Sequence, residues 1–210
     1  MNSIVAVYRS MLRYPIEFSK RKRLKNESFT IFSSNCIGGI IYNTLGKEFL
    51  TPTINMFFSP EDFIKFLKNP KEYLSKELIN LESIDFAYPL AQCGDIVLHG
   101  VYYSNFDELK NSWDRRKERI NWENIFIIMV ERDGCTSQDI LEFDSLPYEN
   151  KVIFVSKPMP EINSACYLEG TEEYVDNVRQ VSSLTRYKSR LTSFRYIDDF
   201  DYVSFLNEEV

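Results

Sequence analysis

The residues most able to do chemistry in this sequence follow its first β-rich run, in a segment that reads SSNCIGG at positions 33–39. A helix starting there would offer free N–H groups and the positive end of its dipole to a ligand. The same field favours a thiolate, and the two glycines would let a ligand approach the backbone. The segment therefore predicts a nucleophile or an anion-binding turn, and a helix cap with a buried cysteine is the structural alternative. The candidates are the nucleophiles Ser34 and Cys36 and the ligand-binding residues Asn35, Gly38 and Gly39.

The sequence has one histidine, His99, so any acid–base step that uses an imidazole must use this residue. Asp95 lies on the same face of the strand expected over 95–103. At the usual rise of a strand the two residues are about 13 Å apart, so a Cys36–His99–Asp95 triad requires Asp95 to lie in the preceding turn. A half-buried structural histidine is the alternative. One histidine also argues against a histidine-rich metal site, while a Mg²⁺ ion held by carboxylates stays open.

A basic cluster, WDRRKER at positions 113–119, forms a third candidate site. On a helix, Arg115 and Arg119 are one turn apart and could bind a phosphate or diphosphate together, while Arg116 points elsewhere. Trp113 could stack on a base or a sugar. A solvated basic face paired with nearby acids is the alternative.

Two carboxylates, Glu131 and Asp133, follow a nearly continuous apolar run over 124–130. Carboxylates at the carboxyl end of a buried strand are placed for contacts with a metal ion or with hydroxyl groups. A polar turn is the alternative. The sequence lacks the motifs GxGxxG and GxxxxGK, so neither a nicotinamide site nor a phosphate-binding kinase loop is supported.

Strand–helix–strand units position these candidates. The apolar runs 125–130 and 151–155 are typical of strands buried on both faces, and we expect them to be adjacent, parallel and central. Helices are expected to start at the capping residues Ser59, Asn105 and Thr136, and a hairpin is expected from 84–90 and 95–103. The predicted fold is α/β, with three layers and a mostly parallel, mixed sheet flanked by helices, Rossmann-like without a dinucleotide motif.

We expect one α/β domain over residues 1–210, with a basic N-terminal helix in 1–25, a core in 26–160 and a helical tail in 161–210. Apolar residues make up 44% and charged residues 27%, which is typical of a globular chain. The N-terminal helix should have one apolar face, formed by Ile4, Val7, Tyr8, Met11 and Leu12.

Charge is distributed unevenly. The net charge of −6 makes a nucleic-acid coat a poor candidate, so no nucleic acid is expected as partner. Residues 1–25 carry seven bases and one acid, a net of +6, which leaves −12 on the rest of the chain. That segment could contact the anionic inner leaflet of a membrane, and a solvated helix is the alternative. The four cysteines lack metal or redox spacing and the start lacks a signal peptide, so we expect a cytoplasmic protein, peripheral to the inner membrane at most.

Six motifs over about residues 26–160 resemble a bacterial family labelled exopolysaccharide or capsular polysaccharide biosynthesis protein, sometimes acetyltransferase. They are, in order, FTIFSSNCIGG, FFSPEDFIKFLKN, GDIVLH, WDRRKERINW, FIIMVERDGCT and LPYENKVIF. The resemblance implies a role in surface-polysaccharide assembly and no particular reaction. Where the resemblance leads us to expect a His-Tyr pair, this chain has Tyr102-Tyr103.

Together, the residues and the resemblance favour an O-acetyltransferase that acts on a sugar or lipid-linked sugar. Cys36 or Ser34 would be the nucleophile, or acetyl-CoA would transfer directly, with Gly38 and Gly39 stabilising the oxyanion and His99 as base. The arginine cluster would hold the phosphates of the donor. One alternative is a glycosyltransferase that uses a nucleotide-sugar and Mg²⁺ at Glu131 and Asp133. Another is a non-catalytic partner of the assembly machinery.

Overall fold

The computed structural model describes residues 3–189 and 192–208. Its α-helices are α1 Ser3–Arg23, α2 Ile37–Leu45, α3 Pro60–Lys68, α4 Pro70–Ser75, α5 Phe106–Lys117, α6 Ser137–Ser145 and α7 Tyr202–Leu206, with a 3₁₀ turn at Tyr196–Asp199. Its strands are β1 Thr30–Ser33, β2 Ile79–Leu81, β3 Leu90–Cys93, β4 Ile96–His99, β5 Ile125–Val130, β6 Lys151–Val155, β7 Ala165–Tyr167, β8 Glu172–Val175 and β9 Val178–Val181.

The central sheet has the order β1-β5-β6-β7, and each neighbouring pair is parallel. β5 and β6 are therefore interior, adjacent and parallel, which confirms the prediction made from their apolar runs. Nearly every side chain of both strands is buried, because helices cover both faces of the sheet.

Two hydrophobic cores lie on opposite faces of this sheet. Ile127 and Met129 of β5 join the core beneath α3, α5 and α6, whereas Phe126 and Ile128 join the core beneath α2 and α7. Successive residues of a strand point to opposite faces, so one strand supplies both cores. This arrangement confirms the predicted α/β fold with three layers.

The predicted hairpin exists, but its first strand lies later in the sequence, and its second strand is shorter than the predicted 95–103. β3 and β4 pair with Cys93 opposite Ile96, so the chain turns at Gly94 and Asp95, and β2 pairs with the other edge of β3. Gly94 has a φ of 65°, which a glycine adopts at no steric cost. Residues expected in the turn, Ala91 to Cys93, are therefore strand, and residues 84–89 are not.

The helical tail predicted for 161–210 is wrong over most of its length. β7 extends the parallel sheet, and β8 and β9 form an antiparallel hairpin. Its turn residues Asp176 and Asn177 both have positive φ, 49° and 63°, which is the turn that matches the twist of two paired strands. Among the described residues of this tail, 161–189 and 192–208, helical structure is confined to the 3₁₀ turn and α7.

The basic N-terminal helix expected in residues 1–25 is confirmed as α1, which continues through Pro15 to Arg23. Of the apolar face predicted for this helix, the side chains of Ile4 and Val7 are not among those that the structure describes. Within residues 3–189 and 192–208, no helix has the length and apolar character needed to cross a bilayer.

Candidate binding cleft

A cleft of about 360 Å³ opens where β1 and β5 end, beside the N-terminus of α2. The carboxyl edge of a parallel sheet is where open α/β folds bind ligands. Five separate segments supply its lining: Asn35, Cys36, Ile37 and Ile40; Phe57; Val101 and Tyr102; Val130, Arg132 and Asp133; and Ser182, Ser183, Leu184 and Thr185.

Cys36 and Asn35 form the turn from β1 into α2. The Ile37 N–H donates to Oδ1 of Asn35 at 3.1 Å, so Asn35 caps the helix beside the cleft. Burial raises the pKa of the Cys36 thiol to about 11, although the nearby Arg132 guanidinium acts in the opposite direction. The thiol is therefore protonated at neutral pH, and the predicted thiolate is wrong.

Ser34 does not line the cleft. Its hydroxyl is buried and accepts from the Val130 N–H at 3.3 Å, which ties β1 to β5. The predicted nucleophilic serine is therefore a structural residue.

Gly38 and Gly39 are also absent from the cleft lining. The N–H of Gly38 donates to Oγ of Ser33 at 3.3 Å, and a Cβ at Gly38 would lie 2.9 Å from the Cβ of Ser33. Gly39 faces Ile54. Both glycines serve the packing of α2 on its neighbours, so the expected approach of a ligand to their backbone is wrong.

The two carboxylates after β5 diverge. The Glu131 carboxylate accepts from the Ser156 N–H, and its carbonyl accepts from the Val181 N–H, so Glu131 joins three strands. Asp133, with a φ of 56°, lines the cleft and contacts Nε of Arg132 at 3.0 Å. They do not form the paired Mg²⁺ site considered above. Among the described residues, no group of three or more His, Cys, Asp or Glu side chains could hold a metal ion.

Three hydroxyl side chains after β9 line the cleft, and sequence analysis missed all of them. The Ser183 and Thr185 hydroxyls lie 2.9 Å apart. Ser182 is only 2% exposed, and its hydroxyl has no hydrogen-bond partner within the described part of the chain. A buried hydroxyl without a hydrogen-bond partner lowers the stability of the fold. A ligand or a water molecule bound in the cleft would supply the missing partner of Ser182. The sequence SSLT at positions 182–185 contains all three hydroxyls, but it lies in the segment that was expected to be helical.

His99 lies at one end of β4, and Asp95 lies in the turn at the other end. The Asp95 carboxylate accepts from the Tyr73 hydroxyl at 2.8 Å, so the triad with Cys36 and His99 is wrong. Burial lowers the pKa of His99, against the opposing effect of Asp62 and Asp133.

An aromatic cluster surrounds the His99 imidazole. The imidazole stacks on Phe57 at 4.2 Å, and its Nδ1 lies 3.4 Å from the Tyr88 hydroxyl. Phe57 lines the cleft and His99 does not, so the imidazole lies behind the cleft wall in neutral form.

None of the predicted phosphate-binding residues on α5 lines the cleft. Trp113 is fully buried against Phe66, because its position falls on the inward face of α5. Arg116 is buried and donates to the Tyr103 hydroxyl at 2.7 Å. Arg119 pairs with Glu48, and Arg115 is exposed.

The cleft combines groups that suit a phosphate-bearing polyol. The Arg132 guanidinium and the positive end of the α2 dipole offer positive charge to an anion. Asp133 and the three hydroxyls can exchange hydrogen bonds with sugar hydroxyls. Tyr102 is exposed at the rim and offers an aromatic face. The fold and the cleft thus define an α/β protein with a candidate ligand site at the carboxyl edge of its sheet.

Comparison with known proteins places the chain in a family. Residues 7–207 match the family described as Domain of unknown function (DUF1919), and the chain belongs to that family. It is also similar to a protein of Haemophilus influenzae (strain Rd KW20) that carries the name "Uncharacterized protein". The two are 35% identical over 195 residues, which cover 93% of this chain and 92% of that protein.

Proposed function

We propose that this protein is a transferase of surface-polysaccharide assembly that binds a phosphate-bearing sugar donor, a nucleotide-sugar, in the cleft. The observation that carries the proposal is the convergence of Arg132, the α2 N-terminus and the unpartnered Ser182 hydroxyl in one site. The pathway rests on the sequence resemblance. The choice of donor rests on the chemistry of the lining.

In this proposal the donor phosphates contact Arg132 and lie at the positive end of the α2 dipole. Ser182, Ser183 and Thr185 bind the sugar or phosphate oxygens, and Asp133 accepts from a sugar hydroxyl. His99 stacks behind Phe57 and does not line the cleft, so it is assigned no proton transfer here.

Acetyl transfer through a covalent enzyme intermediate has less support than it had from the sequence. Burial keeps the Cys36 thiol protonated, and the Ser34 hydroxyl is engaged by β5. Direct transfer from acetyl-CoA to the acceptor hydroxyl needs no nucleophilic side chain of the protein. The phosphates of acetyl-CoA would contact the same positive groups. Acetyl-CoA is therefore the comparison donor in the test.

The test is calorimetric titration of UDP-glucose, GDP-mannose and acetyl-CoA into the full chain, with and without Mg²⁺. Arg132→Ala should weaken binding of the nucleotide-sugar by about 1.5–3 kcal/mol, roughly tenfold to hundredfold, through loss of a charge-assisted bond. Arg115→Ala is the matched control, because Arg115 is exposed on α5 and lies outside the cleft.

Three outcomes would overturn the proposal. Binding of none of the donors favours the non-catalytic partner. Preferential binding of acetyl-CoA favours acetyl transfer. If Arg115→Ala weakens the binding of the nucleotide-sugar and Arg132→Ala does not, the phosphate site lies on α5.

A further inference from the structure

In the described part of helix α1, the charged side chain of Arg13 is buried against the protein, whereas several large apolar side chains face solvent, the reverse of what an ordinary surface helix shows. On its inward side, Arg13 is buried and its guanidinium pairs with Asp198 at 2.7 Å. Lys20 contacts the same carboxylate at 2.8 Å. The helix is therefore held to the domain by ion pairs as well as by apolar packing near Leu24.

The outward side carries a row of large apolar side chains. Four of them recur at helical spacing and are 45–69% exposed, namely Tyr8, Met11, Tyr14 and Phe18. The rings of Tyr14 and Phe18 stack with centroids 6.0 Å apart, so they form a continuous surface. Exposed apolar groups that share one face mark an interaction site, whereas scattered ones need no explanation.

The apolar row leads into a basic last turn. The Lys22 ammonium lies 4.7 Å from the centre of the Phe18 ring, and Arg21 and Lys22 are both exposed. Glu17, the one acid in residues 1–25, is engaged by Arg13 and Arg21. The outward face, defined here by Tyr8, Met11, Tyr14, Phe18 and Lys22, thus joins apolar groups to positive charge.

We propose that this outward face of α1 binds the surface of an anionic membrane. A helix with an aromatic and apolar stripe bordered by bases can lie in the interfacial plane, with its apolar side chains among the acyl chains and its bases at the headgroups. Tyrosine is enriched at this depth of a bilayer. The charge decides the occupant: two copies meeting on this face would bring the exposed bases Arg21 and Lys22 of each copy together, whereas anionic lipid compensates them.

The proposal does not depend on the proposed donor site, because the outward face shares no residue with the cleft. If both hold, the membrane contact would place the cleft near lipid-linked acceptors. Failure of the vesicle experiment below would leave the titration of donors unaffected, so the two failures are distinguishable.

The experiment is sedimentation of the full chain with phosphatidylcholine vesicles, with and without about one third of phosphatidylglycerol. We expect binding to the anionic vesicles and little to the neutral ones. Met11→Ser/Phe18→Ser should weaken that binding at least about tenfold, since each lost apolar side chain removes buried surface. Lys22→Glu should weaken it as well, and more at low ionic strength.

The matched control is Ile84→Ser/Leu141→Ser, which removes two exposed apolar side chains outside α1. It should bind anionic vesicles like the wild type. Thermal melting of each variant establishes that the fold persists. Absence of binding, equal loss in the control, or a dimer in sedimentation velocity that Met11→Ser/Phe18→Ser dissolves would each overturn the membrane as occupant.

Discussion

Cys36 precedes the first residue of α2, where the helix dipole by itself favours a thiolate. Burial acts in the opposite direction and dominates, so the pKa of the thiol rises to about 11. The residue type and its position in the sequence therefore indicated reactivity, and the packing around the sulfur removes it. The same holds for Ser34, whose hydroxyl serves a backbone N–H of β5.

The first prediction concerns the reactivity of Cys36. Near neutral pH its alkylation by iodoacetamide should be at least about tenfold slower in the native chain than in the urea-unfolded chain, whose thiols titrate near their ordinary pKa. The rate should rise as the pH approaches 11. Site-resolved mass spectrometry measures it. Fast native alkylation of Cys36 at neutral pH would contradict the buried thiol and restore it as a candidate nucleophile.

The second prediction separates two neighbouring arginines of α5. Arg116→Ala should lower the free energy of unfolding by about 1.5–3 kcal/mol, because it leaves the buried Tyr103 hydroxyl without its charged partner. Arg115→Ala should change it by no more than about 0.5 kcal/mol, since Arg115 is exposed. Urea unfolding measures both. Equal effects would show that the orientation of α5 is wrong.

At the scale of elements, α2 is placed by its glycines. Two successive helical glycines cost stability in isolation, yet each meets a different neighbour in the fold. Gly38 lies against β1, and Gly39 lies against Ile54 with room for a methyl group. Their spacing suggested a ligand, whereas helix–sheet contact explains why Gly38 is glycine.

The third prediction uses this pair. Gly38→Ala should destabilise the chain by about 1–3 kcal/mol, because its Cβ would lie 2.9 Å from Ser33 Cβ and 3.3 Å from Ile31 Cγ2. Gly39→Ala is the control: its Cβ meets Ile54 at 3.5 Å, an ordinary contact, so the helical preference of alanine should make it neutral or stabilising by up to about 1 kcal/mol. Denaturant midpoints decide between them. Destabilisation by both would mean that α2 tolerates no side chain on either face.

At the scale of the whole molecule, one ionic cluster joins the two ends of the chain. Asp198, in the 3₁₀ turn, accepts hydrogen bonds from Arg13 and Lys20 of α1. Burial alone would raise the pKa of Asp198, but these hydrogen bonds outweigh it and lower the pKa to about 2. A carboxylate with a lowered pKa stabilises the fold above its unfolded pKa near 4, and this stabilisation is lost as the pH falls through 4 towards 2.

The fourth prediction follows from this cluster. Asp198→Asn should lower the free energy of unfolding at neutral pH by about 3 kcal/mol, because Arg13 and Lys20 would lose their shared anion. The variant should also lack the part of the acid destabilisation between about pH 4 and 2 that Asp198 contributes.

The control is Asp201→Asn. The Asp201–Arg23 pair is half exposed and contributes at most about 1 kcal/mol, and asparagine keeps the cap of α7. Urea unfolding across a pH series measures both variants. If Asp198→Asn loses as much stability between about pH 4 and 2 as the wild type does, the ionic cluster is not the cause of that loss.

Local sequence patterns determined much of the framework. The apolar runs of β5 and β6 predicted two central parallel strands, because only strands covered on both faces are apolar throughout. Ser59, Asn105 and Thr136 predicted three helix starts, and each caps its helix by accepting a backbone N–H. Apolar runs and helix caps involve residues close together in the sequence, so a short stretch of chain is enough to predict each element.

The binding site was decided by tertiary structure. Its lining comes from segments as far apart as Asn35 and Thr185, and nothing local to either indicates that they meet. Burial also decided which candidate residues remain available to a ligand. Ser34, Gly38 and Trp113 are packed inside the protein, whereas the Ser182 hydroxyl lines the cleft without a hydrogen-bond partner in the described part of the chain. The inward ion pairs of α1 depend on Asp198, 185 residues after Arg13. Contacts of that separation depend on the whole fold, because only the packed sheet brings the ends of its strands and the ends of the chain together.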